Sequence, residues 1–389
     1  MKKIMFLMAL ISVISNAEIT VNSSQDTRNI SKRINSIDDM TVNGDGAYKN
    51  GGDPKDMDYT KFLNGYSVDG DGFVSIDDDV LIFENNHVID LNGEYNSGIT
   101  VKNNGSAGNS GIINIYGKGG IGLFTGDGTG TLVNRQTGII NVSNSGIGIA
   151  SAGWPYNNFI GSIRNDGTIT IDGAGTGIRI SGAIDRDGGT AENNGKIELN
   201  GGGDSIGVYV GEYNTFINNG EISGTTIGTE KTTLISAVNQ GQIINSADGI
   251  LRGMNNAVGI EVSNAYNSNK SKVINDGYIL TENGDGIFVI GADVVNNGII
   301  SSGTVGIRST KYSGEVPASI VLNNGIIQVQ ENGTGIYGVA STVENNGIIE
   351  INGNNTTGIR IRGYLDEANA TLINNADITA DQNKQNVIL

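Results

Sequence analysis

A ten-residue phrase recurs along this chain, and one clear copy is Glu344-Asn345-Asn346-Gly347-Ile348-Ile349-Glu350-Ile351-Asn352-Gly353. An eleventh copy has Ala376 at the position of the anchoring glycine, and a twelfth has His87 there. Twelve copies between residues 87 and 376 give a mean period of about 26 residues, within the range of repeat architectures. One copy cannot bury its own apolar side chains, so the copies must stack on one another. The anchoring glycines are Gly111, Gly138, Gly167, Gly195, Gly220, Gly241, Gly277, Gly298, Gly325 and Gly347.

Apolar and polar residues alternate within each copy, as they do in Ile169-Thr170-Ile171. A period of two is typical of a strand with one buried face. A second strand follows, as at residues 175–180, and a short apolar stretch such as Val294-Val295 precedes the next turn. Three strands per repeat predict an all-β fold, a parallel β-helix solenoid of about twelve rungs. By analogy with the crossovers of parallel sheets, we expect the helix to be right-handed.

The Asn-Asn-Gly part of the phrase predicts a tight corner that is repeated in place. Asn and Gly tolerate positive φ, and stacked Asn side chains can hydrogen-bond from one rung to the next. Sixty glycines and only three prolines suit a chain with many corners and few interrupted strands. The longest interval, from Gly241 to Gly277, predicts a loop around Asn264–Lys272.

The chain divides into three segments. Residues 1–17 are typical of a secretory signal peptide, with Lys2 and Lys3 before a short apolar stretch and a small-residue cleavage site at Ala17. Residues 18–79 lack the repeat and are polar, so we expect an N-terminal cap that is disordered up to about Lys55. Residues 80–389 hold the β-helix repeats.

Charge and cysteine content exclude several classes of function. The formal net charge is −17, and an acidic surface argues against binding to nucleic acid, which needs basic patches. The chain has no cysteine, so no disulfide framework is possible.

Two motifs resemble catalytic signatures, and we interpret both of them, and the single histidine, as structural. Gly203-Asp204-Ser205-Ile206-Gly207 matches the G-x-S-x-G elbow, but no helix or downstream His is expected to follow Ser205. Gly117 to Gly122 matches G-x-G-x-x-G but lies between two predicted strands rather than before a helix. His87 is the only histidine and occupies a turn position, which excludes His-based triads and His-based zinc sites.

Two segments could bind a ligand. Ser67 to Asp78 resembles an EF-hand loop with Ser at the first position and Asp at the last, so an acidic corner of the cap is favoured and a weak Ca²⁺ site is the alternative. Trp154, Tyr156 and Phe159 could form a stacking platform for sugar, although a loop folded onto the helix side is favoured.

Many β-helix proteins cleave polysaccharides, so an enzymatic function needs a test of its own. It requires acids, and an Arg or Lys base, on neighbouring rungs. Arg179 and Arg360 lie seven predicted rungs apart and cannot share a site, and Arg308 is the third arginine at this repeat position. Asp185 and Asp187 lie in a charged loop near Glu192 and could line a groove. We expect no enzymatic activity and assign no catalytic, cofactor-binding or metal-binding residue.

The signal peptide, the absence of cysteine and the tandem N-N-G-x-I-x-I-x-G and G-x-G-I-x-I phrases resemble the passenger region of Gram-negative type V autotransporter adhesins. The resemblance covers residues 80–389. It implies a secreted or surface-displayed adhesin or structural stalk at the outer membrane, with surface receptors or glycans as partners. It also implies an outer-membrane β-barrel translocator in cis or in trans. Since no barrel pattern precedes Leu389, we expect either that the frame is truncated or split or that a second chain supplies the barrel. The alternative function is a carbohydrate-active β-helix enzyme, either a polysaccharide lyase or a hydrolase.

Overall fold

The computed structural model describes residues 19–21, 28–30, 40–42, 63–69, 83–86, 88–92, 94, 96–102, 106–125, 130–151, 161–181, 188–264, 270–313, 315–364 and 370–380. In these ranges the chain forms three parallel sheets that run side by side along one axis. Each sheet takes every third strand of the repeat region, so the predicted all-β parallel β-helix is confirmed. No helix in this part of the chain is long and apolar enough to cross a membrane.

Sheet 1 contains the strand that follows the Asn-Asn-Gly corner. Its fourteen strands are β1 (Ile19–Val21), β3 (Met40–Val42), β6 (Val88–Leu91), β9 (Ile112–Ile115), β12 (Ile139–Ser143), β15 (Thr168–Asp172), β18 (Lys196–Leu199), β21 (Glu221–Thr225), β24 (Ile250–Met254), β27 (Tyr278–Thr281), β30 (Ile299–Ser302), β33 (Ile326–Val329), β36 (Ile348–Ile351) and β39 (Ile378–Ala380).

Sheet 2 contains the second strand of each repeat. Its thirteen strands are β2 (Arg28–Ile30), β4 (Leu63–Asp69), β7 (Asn96–Lys102), β10 (Ile121–Thr125), β13 (Gly146–Ser151), β16 (Gly175–Ile180), β19 (Ser205–Val210), β22 (Thr232–Val238), β25 (Val258–Ser263), β28 (Ile287–Ile290), β31 (Val305–Thr310), β34 (Thr334–Val339) and β37 (Thr357–Arg362).

Sheet 3 contains the short strand before the next Asn-Asn-Gly corner. Its twelve strands are β5 (Phe83–Asn85), β8 (Ala107–Asn109), β11 (Thr131–Asn134), β14 (Ser162–Asn165), β17 (Thr190–Asn193), β20 (Thr215–Asn218), β23 (Gln242–Asn245), β26 (Lys272–Asn275), β29 (Asp293–Asn296), β32 (Ile320–Asn323), β35 (Thr342–Asn345) and β38 (Thr371–Asn374). The rung count differs slightly from the predicted twelve because β1 and β3 add strands to sheet 1 before the first copy.

The main core is a column of mostly aliphatic side chains that also includes Phe216, and a second, small cluster contains Ile121, Phe124, Ile147 and Ala150. In the strands of sheet 1 that the copies contribute, alternate residues point inward, and equivalent residues stack in register, as Ile140, Ile169 and Ile197 do at 0% exposure. Each such side chain contributes about 1.5–3 kcal/mol from burial before the entropy of ordering is subtracted. Because each rung contacts only its neighbours, stability is distributed along the column rather than concentrated at one centre.

A ladder of asparagines closes the corner between sheets 3 and 1, and all of them except the last, Asn374, are buried. Each Asn Nδ2 donates to the Oδ1 of the Asn on the next rung at 2.7–2.9 Å, which confirms the predicted polar ladder. The same Nδ2 groups also reach corner carbonyls, as from Asn218 to Gly220 O at 3.1 Å. The ladder residues are Asn85, Asn109, Asn134, Asn165, Asn193, Asn218, Asn245, Asn275, Asn296, Asn323, Asn345 and Asn374.

The anchoring glycines serve a different purpose from the one predicted. None of those in the described ranges has positive φ, so the backbone-conformation argument for them was wrong. A Cβ at Gly325 would lie 2.1 Å from Gly298 O, and one at Gly347 would lie 2.0 Å from Gly325 O. Glycine is needed here because stacked corners approach closely. Left-handed residues lie at other corners, as Asn144 and Asn255 do between sheets 1 and 2.

One predicted anchor was also wrong. Gly241 lies between sheets 2 and 3, because Gln242 pairs with Thr215 and begins β23 of sheet 3. The ladder residue of this repeat is Asn245, and its Nδ2 reaches Gly249 O at 3.2 Å. The corner from Asn245 to Gly249 is two residues longer than Asn-Asn-Gly, which hid it from the pattern. The predicted loop does lie between β25 and β26, although residues 265–269 are outside the described ranges.

Strands β1 to β4 come from the segment that lacks the repeat, and they join sheets 1 and 2 by parallel pairing. The boundary near residue 80, the cap and the handedness of the helix stay predictions. The signal peptide and the segment around Lys55 lie outside the described residues.

Candidate functional site

A groove of about 370 Å³ lies on the outer side of sheet 2. Strands β16, β19, β22 and β25 cross it, and their outward residues lie side by side because Thr176 pairs with Ile206 and Ile206 with Thr233. The corners between sheets 1 and 2 form one wall. The lining residues are Ser145, Gly175, Thr176, Asp204, Ser205, Ile206, Lys231, Thr233, Ser236 and Glu261.

Lys231 connects two carboxylates across three rungs of this groove. Its backbone N–H donates to Asp204 Oδ1 at 2.8 Å, and its Nζ lies 2.6 Å from the Glu261 carboxylate. Glu261 also accepts from Thr233 Oγ1 at 3.3 Å. The corner before β22 runs from Thr226 to Lys231, and this length places Lys231 between the rungs that hold the two acids. The groove therefore offers a lysine, two acids and several hydroxyl groups to a polar ligand.

Ser205 lines the groove but is not an exposed nucleophile. Its residue is 1% exposed, and its Oγ contacts Thr232 Oγ1 at 3.4 Å. Ser205 opens β19, which is a strand and not the helix that a hydrolase elbow requires. Ile178 pairs with Val208, which aligns Gly207 with Gly177 as the sequence predicted.

The G-x-G-x-x-G motif from Gly117 to Gly122 connects two strands of one rung. It begins after β9 and runs into β10, so no helix follows the glycines. A Cβ at Gly122 would lie 2.6 Å from Gly148 O on the next rung. At Gly122 the need for glycine comes from rung stacking and not from a nucleotide.

A ladder of polar and aromatic residues, three of them arginines, runs along the outer face of sheet 2, and two of its members, Ser236 and Glu261, line the groove. Its members occupy the x position of the G-I-x-I phrase. Only the arginines at this position were singled out from the sequence. In register they are Arg179, Tyr209, Ser236, Glu261, Phe288, Arg308, Tyr337 and Arg360. Arg179 and Arg360 do lie seven rungs apart, as predicted, whereas Arg308 and Arg360 flank Tyr337.

Electrostatics differ between the two ends of this ladder. Burial raises the pKa of Tyr209, and the Arg179 guanidinium, 5.2 Å from the ring centroid, opposes that rise. The hydrogen bond from Arg308 to Asp285 raises the pKa of the guanidinium, and burial opposes this. Both pairs join residues of neighbouring rungs.

Several predicted site residues lie outside the described ranges. Within those ranges no group of three or more His, Asp or Glu side chains could hold a metal ion. Of the segment that resembles an EF-hand, only Ser67 to Asp69 are described, and they end β4. The residues singled out from the sequence that lie outside the described ranges are Trp154, Tyr156, Phe159, Asp185, Asp187 and His87.

Known proteins resemble this chain at two levels, a family model and a solved structure. A family model described as the BigA third pectate lyase-like domain matches residues 156–377, which is more than half of the 389-residue chain. Among solved structures, the crystal structure of a TibC-catalyzed hyper-glycosylated TibA fragment is similar at 13% sequence identity and a TM-score of 0.25, with 94% of this chain and 97% of that chain covered. No curated protein matches the sequence.

Proposed function

Since this chain belongs to the family described as the BigA third pectate lyase-like domain, we propose that it is a β-helix passenger that is secreted or displayed on the surface of a Gram-negative bacterium. There it acts as an adhesin or a structural stalk. Its partners are surface receptors or glycans and an outer-membrane translocator barrel. The observation that carries this proposal is the unbroken asparagine ladder from Asn85 to Asn374. At about 4.8 Å per rung it makes a rigid rod roughly 50 Å long, which suits presentation of side surfaces away from a membrane.

The groove on sheet 2 is the candidate contact site of the adhesin. Its hydroxyl groups and the Lys231–Glu261 pair can exchange hydrogen bonds with sugar hydroxyls. Its acids are already engaged with Lys231, which favours binding over proton transfer.

Adhesion of coated beads tests the proposal. Beads that carry the whole chain should attach to epithelial cells above the level of albumin-coated beads, and Lys231→Ala should reduce attachment. Tyr116→Ala, an exposed residue outside this groove, is the matched control and should leave attachment unchanged. If the chain neither attaches to cells nor is removed from intact bacteria by external protease, the proposal fails.

A carbohydrate-active enzyme is the second candidate function, because the groove holds two acids that lie two rungs apart, on either side of Lys231, and the family name refers to a lyase. Incubation with acidic polysaccharides should then release unsaturated or reducing ends. The single variants Asp204→Asn and Glu261→Gln should abolish release, as should variants of Asp185 or Asp187 if the charged loop is the site. If the whole chain releases such products and these variants do not, the non-enzymatic proposal is overturned.

A further inference from the structure

Three arginines surround one tyrosine on the outer face of sheet 2 near its last strand. The Cζ atoms of Arg308, Arg360 and Arg362 lie 5.6, 5.9 and 5.7 Å from the centroid of the Tyr337 ring. Arg308 is on the rung before Tyr337 and Arg360 on the rung after it. We call these four residues the arginine cluster. At the other Arg–Tyr pair of the ladder, only Arg179 lies over Tyr209.

The charges of the arginine cluster are only partly balanced. Asp285 binds Arg308 with two hydrogen bonds, of 2.5 and 3.1 Å, and Thr304 Oγ1 holds the same carboxylate at 2.7 Å. Arg360 and Arg362 are exposed and form no ion pair with any residue that the structure describes. Two exposed guanidinium groups therefore lie 5.9 and 5.7 Å from the centroid of one ring with no described counter-charge, on a chain whose net charge is −17.

We propose that Arg360 and Arg362 form a binding site for the sulfate esters of a polysaccharide. Guanidinium groups bind oxyanions through paired N–H donors, and a carboxylate offers two oxygens that match a single fork. A sulfate ester offers three oxygens, so it can accept from both arginines at once. At physiological salt the Debye length is about 8 Å, so distant acids of the rod do not cancel the field of the cluster.

The neighbours of Tyr337 point to a sugar polymer and not to nucleic acid. Arg308 and Arg360 lie over the ring from the rungs on either side, so guanidinium groups already occupy the positions that a stacked base would take. One sulfate held by two exposed arginines binds weakly, and a polymer that carries many such groups rebinds and raises the effective concentration. A sulfated polysaccharide meets both conditions. This site is separate from the sheet 2 groove. Binding of a sulfated polysaccharide to it does not depend on the proposed function as an adhesin.

Matched polymers on one backbone test the proposal with the whole chain. Dextran sulfate, carboxymethyl dextran and uncharged dextran are immobilised, and binding is followed by surface plasmon resonance. We expect dextran sulfate to bind at least about tenfold more tightly than carboxymethyl dextran, with no binding to dextran and weaker binding to poly-glutamate. Equal binding to carboxymethyl dextran or to poly-glutamate would overturn the assignment to sulfate.

Variants locate the site. Arg360→Gln with Arg362→Gln should weaken binding to dextran sulfate by about tenfold or more, and the two Lys substitutions should retain only part of it because they keep the charge and lose the fork. Arg179→Gln, at the same ladder position seven rungs away, should leave binding unchanged. Unchanged binding in the Arg360/Arg362 double Gln variant would refute the proposal.

An internal counter-charge is the remaining alternative. Asp366 and Glu367 follow the cluster in sequence and lie outside the described residues. If Asp366→Asn with Glu367→Gln raises affinity for dextran sulfate more than about tenfold, these carboxylates occupy the arginines in the native chain and the proposal is wrong. A smaller change supports it.

Discussion

The buried asparagine ladder gives the sharpest prediction, because buried and surface asparagines stand side by side. Asn218 is 0% exposed, accepts from Asn193 at 2.9 Å and donates to Asn245 at 2.8 Å. Asn219 lies at the surface and donates to Asn194 at 2.9 Å. Replacing either residue by Ala removes side-chain hydrogen bonds within the same corner. Only Asn218→Ala leaves the former partners unpaired in a dry interior.

The cost of Asn218→Ala follows from these contacts. Two ladder hydrogen bonds contribute about 1 kcal/mol each, and the Asn245 Oδ1 that is left buried without its donor costs about 1–3 kcal/mol more, which gives about 3–5 kcal/mol in all. The Asn193 Nδ2 keeps a contact to Gly195 O at 3.4 Å, so leaving it without Asn218 costs less free energy than leaving the Asn245 Oδ1 without its donor. For Asn219→Ala water replaces the lost partner, and we expect a change within about 0.5 kcal/mol.

Native-state hydrogen exchange is the appropriate assay, since a solenoid need not unfold in one step. The amides of Asn219 and Gly220 donate to Asn193 O at 2.8 and 2.9 Å and report on this corner directly. In Asn218→Ala the protection of Gly220 should fall by about 100-fold or more, which corresponds to about 3 kcal/mol. Equal losses of protection in the two variants, or a loss below about 1 kcal/mol for Asn218→Ala, would refute the reasoning.

Two further predictions concern corners and pH. Gly325→Ala places a Cβ 2.1 Å from Gly298 O and should cost about 2–3 kcal/mol. Gly228→Ala meets nothing within 4 Å and should cost about 1 kcal/mol for its φ of +72°. Both costs are read from the hydrogen-exchange protection of nearby amides. Burial raises the pKa of Tyr209 above 10.0, so its contribution to stability is full below that pH and is lost as pH rises past the folded-state pKa. Tyr209→Phe should remove this part of the alkaline loss, as measured by unfolding midpoints at a series of pH values.

Much of the fold followed from local pattern. The alternation in Ile169-Thr170-Ile171 predicted β15, and the Asn-Asn-Gly corner predicted both the stacking and the asparagine ladder. The pattern failed at Gly241, where Asn239-Gln240-Gly241 imitates the phrase at a different corner. Only the pairing of Gln242 with Thr215 reveals the true register, because the Asn245 corner is longer and carries no such phrase.

The candidate sites could not be predicted to the same extent. The sequence drew attention to three single residues, Ser205, Arg308 and Arg360. It did not reveal their partners, which are Lys231 in the groove with Ser205 and Tyr337 between the two arginines. Each pair joins residues from different rungs. The sequence interval between successive ladder asparagines varies from 21 to 31 residues, so sequence distance does not say which side chains share a face.

The sequence by itself determined the architecture, since its period and alternation leave stacking of parallel strands as the way to bury each apolar face. Tertiary structure alone decided why the anchoring glycines are needed and which charges meet. A Cβ at Gly347 is excluded by a carbonyl one rung away, and Arg360 meets Tyr337 only because β34 and β37 pair in register. The physical reason is that local pattern is written within a repeat, whereas contacts between rungs depend on the lengths of the corners that separate them.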